Sequence, residues 1–510
     1  MQPHTILLFI VMLCQGVMAQ TNYEKKGDDY YKYFNYERAL REYLRVYNKS
    51  PENSAVLEKI IDCILSDNNP RERAIPYLEQ MAKLNPDKTI VNYQMAQALF
   101  YGHRFDEALD YLNQFRQQAT AKADTEKADA LEAQINNARR MVADSLNVKL
   151  INLGKEINSS RADLNPFVTA DHQTLFYTSD ERFNSYAGIY YYNIKVSENN
   201  GTSWSEAKTL GGGVNTIFDE FSAGYSESTN ELFFNTNQNG EPVLASATYM
   251  GKGRINQGFP LGLPFDMGGP EYSASLSATG DTIVFSGTNT NNRLDLFFAI
   301  RMPDNAWGEA RLLPGKINSD DDDNYATFSP DGQRLYFSSN RPGTMGGYDL
   351  YQSDYNPATK EWGEPVQLPY PINDTYDNMS ISFSRDGRYA YIANVRPEGL
   401  GNRDIYQVVF PSKPTPVAIY RCNLEIKDRP SNRKPEITPD FMVFNTNGKL
   451  VAQLSAKSPK APFIITLEPG KYKINITSSE VVPFEIDFEV PENAYTNQAN
   501  PVTFLLTPKH

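Results

Sequence analysis

The chain has 510 residues, with 49 Lys or Arg against 62 Asp or Glu, which gives a formal net charge of −13. This length exceeds what one hydrophobic core usually supports and predicts two to four domains. The acidic balance argues against a general affinity for nucleic acid or anionic lipid, so any charged partner surface is expected to be basic.

The N-terminal residues are typical of an export signal. The apolar run Thr5–Leu13 is too short to span a bilayer, and Val17-Met18-Ala19 supplies the small residues that signal peptidase requires. We therefore predict a signal peptide over residues 1–19, with cleavage near Ala19. Acylation of Cys14 is the alternative, but Leu13 stands where a lipoprotein signal needs a small residue. No later segment approaches 18 consecutive apolar residues, and we expect no transmembrane segment.

Residues 22–118 repeat with a period near 34. Alanine recurs at one repeat position and a larger apolar residue follows it by four: Ala39, Ala74 and Ala108, then Tyr43, Leu78 and Leu112. Gly27 is small where we expect two helices to cross closely. The pattern resembles the tetratricopeptide repeat (TPR), and we assign residues 20–146 to such an array. A plain array of helical hairpins is the alternative.

From about residue 147 the hydrophobic pattern alternates, as in strands. Five aligned first strands begin 55, 51, 53 and 54 residues apart, at Asn165, Glu220, Glu271, Asn324 and Asn378. Turns such as Ser329-Pro330-Asp331-Gly332 lead into second strands, and third strands follow. A fourth strand follows each of the three tryptophans, Trp204, Trp307 and Trp362. Four strands in each unit of about 50 residues predict β-propeller blades.

The ends of this region predict how the ring closes. Residues 148–153 carry the pattern of an outer strand that has no blade of its own, and the last blade lacks an outer strand. Pairing the two closes a five-bladed propeller over residues 147–410 and removes both open edges. The Ser-Pro-Asp-Gly turn followed by Leu335-Tyr336-Phe337-Ser338-Ser339 resembles the TolB-like, WD-like repeats of exported bacterial proteins.

The C-terminal part is separated from this region by proline. Residues 411–416 predict a stiff linker, and the short alternating runs that follow predict a small β-sandwich over residues 417–510. The segment Leu467-Glu468-Pro469-Gly470 is similar to a turn of carboxypeptidase-regulatory-like domains. The predicted fold is therefore multidomain: an α-helical TPR array, then an all-β five-bladed propeller, then a small β-sandwich.

Motifs that would indicate catalysis are weak. Residues 197–204 fit the Asp-box of sialidases, with Asn199 in the aspartate position, but this box is a turn element there and recurs in no other blade. The sequence contains no phosphate-binding loop and no nucleophile elbow followed by an α/β domain. Cys63 and Cys422 lie in different predicted domains, and with only His103 and His172 internal they predict no zinc site. We predict no enzymatic activity, no cofactor and no metal centre.

Acidic residues recur just before the innermost strands: Asp219, Glu220, Glu271, Asp323 and Asp377. The first blade has Asn165 instead. We expect these carboxylates at one mouth of the central channel. Either each caps its own turn by accepting backbone N–H bonds, or together they form an acidic ring for a basic partner loop or a hard cation such as calcium.

The order of helical repeat, propeller and regulatory-like sandwich behind a signal peptide resembles the PorE family of the Bacteroidetes type nine secretion system. This resemblance implies a periplasmic scaffold in secretion or gliding machinery, with protein partners that include a PorP-type outer-membrane barrel. Members continue into an OmpA-like domain that grips peptidoglycan. This sequence stops at His510 without one, so we expect no peptidoglycan binding by this chain alone. A carbohydrate-binding or sialidase-like propeller is the alternative function.

Overall fold

The computed structural model divides into two units, one of helices ending at Ala143 and one that holds the strands. The predicted signal peptide, Cys14 and the cleavage site lie outside the described residues, as do Glu271 and residues 412–416 of the predicted linker. The structure describes residues 22–67, 70–118, 121–170, 172–184, 189–199, 203–211, 213–238, 241–262, 264–265, 273–277, 279–304, 306–385, 387–411, 418–427, 439–455, 463–468, 470–490 and 500–509.

The described residues of the first unit form seven α-helices. Asparagines cap two of them: the Asn35 side chain accepts the Arg38 N–H, and the Asn53 side chain accepts the Val56 N–H. No helix in the described part of the chain is long and apolar enough to cross a membrane. The helices are α1 (22–32), α2 (Tyr36–Tyr47), α3 (Ser54–Ser66), α4 (Ile75–Leu84, after a 3-10 turn over Arg71–Ala74), α5 (Ile90–Tyr101), α6 (Phe105–Gln118) and α7 (Lys122–Ala143).

The repeated residues form the core of this unit. The three alanines and the three larger residues four positions on are all at most 1% exposed: Ala39, Ala74, Ala108, Tyr43, Leu78 and Leu112. A Cβ atom on Gly27 would lie 2.4 Å from Tyr43 Cε1, so α1 and α2 cross where only glycine fits. The Tyr43 hydroxyl donates to Asp28 Oδ1 at 2.8 Å. The prediction that Gly27 permits a close helix crossing is confirmed.

Five antiparallel sheets form most of the second unit, and strand bounds follow the predicted periodicity. The first sheet contains β2 (Asp163–Val168), β3 (Thr174–Asn184), β4 (Ile189–Glu198) and β5 (Lys208–Thr209). The second contains β6 (Phe221–Ser226), β7 (Glu231–Gln238), β8 (Glu241–Gly251) and β10 (Phe259–Pro260), with β9 (Arg254–Ile255) also paired to β8. The third contains β11 (Ala274–Leu276), β12 (Thr282–Thr288), β13 (Leu294–Ile300) and β14 (Arg311–Leu312).

The fourth and fifth sheets continue the pattern. The fourth contains β15 (Asp323–Phe328), β16 (Arg334–Ser339), β17 (Asp349–Asn356) and β18 (Glu361–Trp362), with β19 (Val366–Gln367) also paired to β17. The fifth contains β20 (Ile381–Phe383), β21 (Tyr389–Asn394), β22 (Asp404–Val409) and β1 (Lys149–Asn152). We call β2, β6, β11, β15 and β20 the inner strands, because each lies at one end of the strand order of its sheet and is followed along the chain by the next two strands of that order.

The fifth sheet joins the two ends of this region. Strand β1 pairs antiparallel with β22, with Lys149 opposite Val409 and Asn152 opposite Tyr406. The inner strand β2 also contacts both β6 and β20: Ser222 Oγ donates to the Asn165 carbonyl, and the Val168 N–H donates to Ser382 Oγ. The predicted pairing of residues 148–153 with the last repeat is confirmed.

The C-terminal residues form two further sheets. One has the order β26 (Phe463–Leu467), β23 (Ala418–Ile426), β29 (Asn500–Leu506), and the other β25 (Leu450–Ser455), β24 (Asp440–Asn445), β27 (Gly470–Thr477), β28 (Phe484–Val490). Strands β23 and β29 are parallel. Apolar residues of both sheets, including Phe441, Ile465 and Phe504, form one buried core. Cys422 is buried in that core and Cys63 is buried in α3, and both are free thiols.

Candidate functional site

Four asparagines tie neighbouring sheets together. Each side chain both accepts the N–H of one residue in the third strand of the preceding sheet and donates to the carbonyl of that same residue. The pairs are Asn158 with Ile405, Asn215 with Ile194, Asn318 with Leu296, and Asn373 with Leu350. The amide thus provides the two hydrogen bonds that a backbone pair would make, and it fixes the loop that leads into each inner strand.

Two of the predicted carboxylates bridge sheets. Asp219 Oδ1 accepts the Tyr192 N–H at 2.8 Å, and Asp377 Oδ1 accepts the Tyr348 N–H at 3.0 Å. Asp322 makes the equivalent bond to the Leu294 N–H, again at 3.0 Å. All three stand four residues after a sheet-bridging asparagine. The sequence analysis did not identify Asp322, although it has the same four-residue spacing from Asn318.

The residue five after each asparagine caps its own turn. Asp323 Oδ2 accepts the Ser319 N–H at 2.5 Å, and Asp163 Oδ2 accepts the Ser159 N–H at 2.6 Å. Glu220 Oε1 accepts the Thr216 hydroxyl, and burial raises the pKa of Glu220. Asp163, rather than Asn165, is therefore the first-sheet counterpart of Asp323. The prediction that Asn165 takes this place in the first sheet was wrong. It aligned the strands by their hydrophobic residues rather than by the sheet-bridging asparagine, which is Asn158 in this sheet.

The hydrogen bonds of the described carboxylates are local. Asp219, Glu220, Asp323 and Asp377 each bond within one turn or one junction between sheets, and Asp323 is also paired with Arg341 Nη2 at 2.6 Å. Within the described ranges, no three His, Cys, Asp or Glu side chains are placed to hold a metal ion. The hydrogen bonds are those of the turn-cap alternative, and Glu271 lies outside the described residues.

A cavity of about 350 Å³ lies at the opposite ends of the inner strands. We call it the axial cavity, because the last residues of all five inner strands line it. Strands β23 and β26 of the C-terminal sheets also line it, through Ile419, Arg421 and Ile464. Its charged lining residues are Glu227, Arg385 and Arg421. Sequence reasoning missed this site, because the residues that form it lie far apart along the chain.

Large apolar side chains are exposed where the first sheet meets the second. Ile217 is 75% exposed, Phe183 45%, Phe218 42% and Ile189 40%. Arg182 holds this surface together, since its guanidinium donates to the carbonyls of Thr216 and Phe218. We call these four apolar residues the apolar patch.

Of the Asp-box segment, the structure describes residues 197–199 and 203–204. Asn199 pairs with Trp204 across it, and the Asn199 side chain donates to the His172 carbonyl at 3.1 Å. Trp204 itself is 9% exposed and packs edge-on against His172. Asn199 and Trp204 are thus held beside the first sheet by these contacts.

Comparison with known proteins identifies no family. No family model matches the chain, and no curated protein matches it. Among solved structures, TolB from Acinetobacter baumannii is 13% identical, covering 61% of this chain and 67% of its own, with a TM-score of 0.29. A thermostable family-43 glycoside hydrolase is 14% identical over 52% of this chain and 95% of its own, with a TM-score of 0.36. The TPR domain of P58(IPK) is 16% identical over 24% of this chain and 34% of its own, with a TM-score of 0.21. These scores are too low to carry an argument about function.

Proposed function

We propose that this protein is a non-catalytic scaffold of the bacterial envelope, built from a TPR array, a five-bladed β-propeller and a carboxypeptidase-regulatory-like β-sandwich. Its proposed place is the periplasm of a Bacteroidetes cell, in type nine secretion or gliding machinery. A PorP-type outer-membrane barrel is the proposed class of partner.

The apolar patch is the observation that carries this proposal. Four large apolar side chains are exposed near this junction, which is costly in water, and exposed apolar surface marks places that bind other proteins. Arg182 bonds both Thr216 and Phe218, so the loop is held in place before any partner arrives. A preformed surface loses little conformational freedom on binding, which favours a docking role.

The carboxylates support the same proposal. Acid–base or nucleophilic catalysis requires carboxylates that face a substrate. Asp323 instead bonds the Ser319 N–H and the Arg341 guanidinium, and Asp377 bonds the Tyr348 N–H. Their hydrogen bonds serve the turns and the junctions between sheets.

The test is affinity purification of the tagged protein from the periplasm of the source cell after chemical cross-linking. We expect defined envelope proteins to be recovered with the parent chain and lost with the double variant Ile217→Asp, Phe218→Asp. Met302→Asp is the matched control, because Met302 is also exposed, at 47%, and lies outside the patch. Recovery of a monomer carrying glycans, with no envelope protein, would contradict the proposal and support a carbohydrate-binding propeller.

A further inference from the structure

Arg385 follows the inner strand β20 and lines the axial cavity. Its backbone N–H donates to the Ala170 carbonyl at 2.9 Å, which fixes the start of the side chain. Among the described residues, the guanidinium atoms Nε and Nη1 are buried and have no hydrogen-bond partner. The residue as a whole is only partly buried, and it lines the cavity.

An unpaired, desolvated guanidinium is unfavourable. Burying a charged group without a partner costs several kcal/mol, and a buried donor without an acceptor adds to this cost. Buried arginines are therefore normally paired with a carboxylate or phosphate, whose oxygens match the planar fork of donors. Two of the guanidinium donors of Arg385 thus lack an acceptor among the described residues, as expected where a ligand supplies the counter-ion.

The charges of the other lining residues also favour a bound anion. Arg421 faces the same cavity from β23, and its Nη2 donates to the Ser228 carbonyl at 3.3 Å. Among the described residues of the lining Glu227 is the one acid, and its Oε1 accepts the Ala170 N–H. Two cationic side chains thus face one carboxylate that is already bonded to the backbone.

The uncharged lining indicates what the anion is attached to. Apolar side chains from both parts of the unit line the cavity, among them Phe167, Phe383, Ile419 and Ile464. The serine hydroxyls are largely committed: Ser275 Oγ accepts the Phe328 N–H, and Ser382 Oγ accepts the Val168 N–H. A volume of about 350 Å³ suits a small organic molecule.

We propose that the axial cavity binds a small organic oxyanion, with its carboxylate or phosphate group on Arg385 and its apolar body against the phenylalanines and isoleucines. This inference goes beyond the scaffold function and does not depend on it. A scaffold with such a site would have its propeller and sandwich linked by a ligand, because Arg421, Ile419 and Ile464 belong to the C-terminal sheets.

Calorimetric titration of the full chain with benzoate, phenyl phosphate and benzyl alcohol tests the proposal. We expect benzoate or phenyl phosphate to bind, and the one that binds shows whether the site takes a carboxylate or a phosphate. We expect the neutral benzyl alcohol to give no heat of binding. Arg385→Gln should weaken binding by about tenfold to a hundredfold, the usual effect of losing a charge-assisted hydrogen bond. Arg388→Gln is the matched control, since Arg388 is an exposed arginine of the same hairpin and does not line the cavity.

A second variant guards against misfolding of the first. Ile464→Trp fills the cavity without altering Arg385 and should abolish binding of the same anion. The proposal is overturned if neither anion binds at millimolar concentration, if Arg385→Gln binds as well as the parent, or if Arg388→Gln is weakened equally.

Discussion

The side-chain amide of Asn158 holds the backbone of Ile405, a residue 247 positions away in sequence. Its Oδ1 accepts the Ile405 N–H at 2.7 Å and its Nδ2 donates to the Ile405 carbonyl at 3.0 Å. Asn158 is 3% exposed and Ile405 is fully buried. Among the described residues, the same pair of bonds links three other pairs of neighbouring sheets over only 21 to 23 residues. Asn158 therefore joins the first sheet to the last.

Replacing Asn158 should destabilise the second unit. Asn158→Ala removes these two hydrogen bonds and a third, to Asn152 Oδ1, and leaves the buried N–H and carbonyl of Ile405 without these partners, so we expect the free energy of unfolding to fall by about 2–4 kcal/mol. Urea denaturation followed by fluorescence measures this change. Asn291→Ala, in an exposed loop, is the control and should stay within about 0.5 kcal/mol of the parent. An equally small effect for Asn158→Ala would show that the bonds between Asn158 and Ile405 contribute little to the stability of the second unit.

Strand β1 should protect the β22 edge of the fifth sheet from pairing with other molecules. Deleting residues 147–154 removes the partner of β22 and exposes a row of unpaired backbone groups, which promotes association between molecules. We expect the deletion variant to form oligomers or aggregates that light scattering detects. Lys149→Ala keeps the pairing and should remain as dispersed as the parent. A deletion variant that stayed monomeric and melted at the parent's temperature would refute this role for β1.

The helical unit offers a packing test at Gly27. Alanine normally stabilises a helix interior by about 1 kcal/mol relative to glycine. Here its Cβ would lie 2.4 Å from Tyr43 Cε1, on a ring that is 1% exposed and hydrogen-bonded to Asp28. We therefore expect Gly27→Ala to lower stability by about 1–3 kcal/mol, as overpacked cores do.

Thermal unfolding followed by circular dichroism measures the effect. Lys26→Ala, the exposed neighbouring position in α1, should be nearly neutral. A second substitution, Tyr43→Leu, should recover part of the loss in Gly27→Ala, because it removes the ring that the new methyl group meets. A stabilised Gly27→Ala variant would mean that the two helices separate easily.

The repeat pattern predicted correctly which residues are buried. It was less successful in predicting which residues take the same position in different sheets. Ala39, Ala74 and Ala108 were placed in the core from their spacing alone, because a period near 34 repeats one packing environment. The junctions between sheets were harder. The bonds of the sheet-bridging asparagines reach back to the preceding sheet, and the repeat spacing does not show which residue each one holds.

The axial cavity shows why the site itself escaped prediction. Arg385 replaces the proline of the Ser329-Pro330-Asp331-Gly332 turn, which is a visible difference between two repeats. Its environment depends on Arg421 and Ile464, which follow the propeller in the chain and reach the cavity only through the packing of the C-terminal sheets. No repeat in the sequence connects Arg385 with Arg421 and Ile464, because the sheet that precedes Arg385 and the C-terminal sheets follow separate sequence patterns.

Two buried aspartates predict how stability depends on pH. Asp163 and Asp349 are fully buried, and burial raises the pKa of each carboxyl from its ordinary value of 3.8 to about 7, against the opposing effect of hydrogen bonds from backbone N–H groups. In the unfolded chain both lose their protons near pH 4. Between pH 4 and pH 7 the folded state therefore binds more protons than the unfolded state, so the free energy of unfolding falls as pH rises.

The size of this effect is up to about 1.4 kcal/mol per pH unit for each carboxyl, and it ends above pH 7, where both states are ionised. Asparagine imitates the protonated acid, and Asn378 already occupies the turn position equivalent to Asp163, where it accepts the Asp374 N–H at 2.8 Å. The double variant Asp163→Asn, Asp349→Asn should therefore fold and should lose most of the decline in stability between pH 4.5 and pH 7. Urea midpoints at four pH values across that range measure the slope, with the exposed Asp304→Asn as control. If the double variant kept the parent's slope, both aspartates would be ionised in the folded protein, and their backbone hydrogen bonds would have to outweigh the cost of burying the charge.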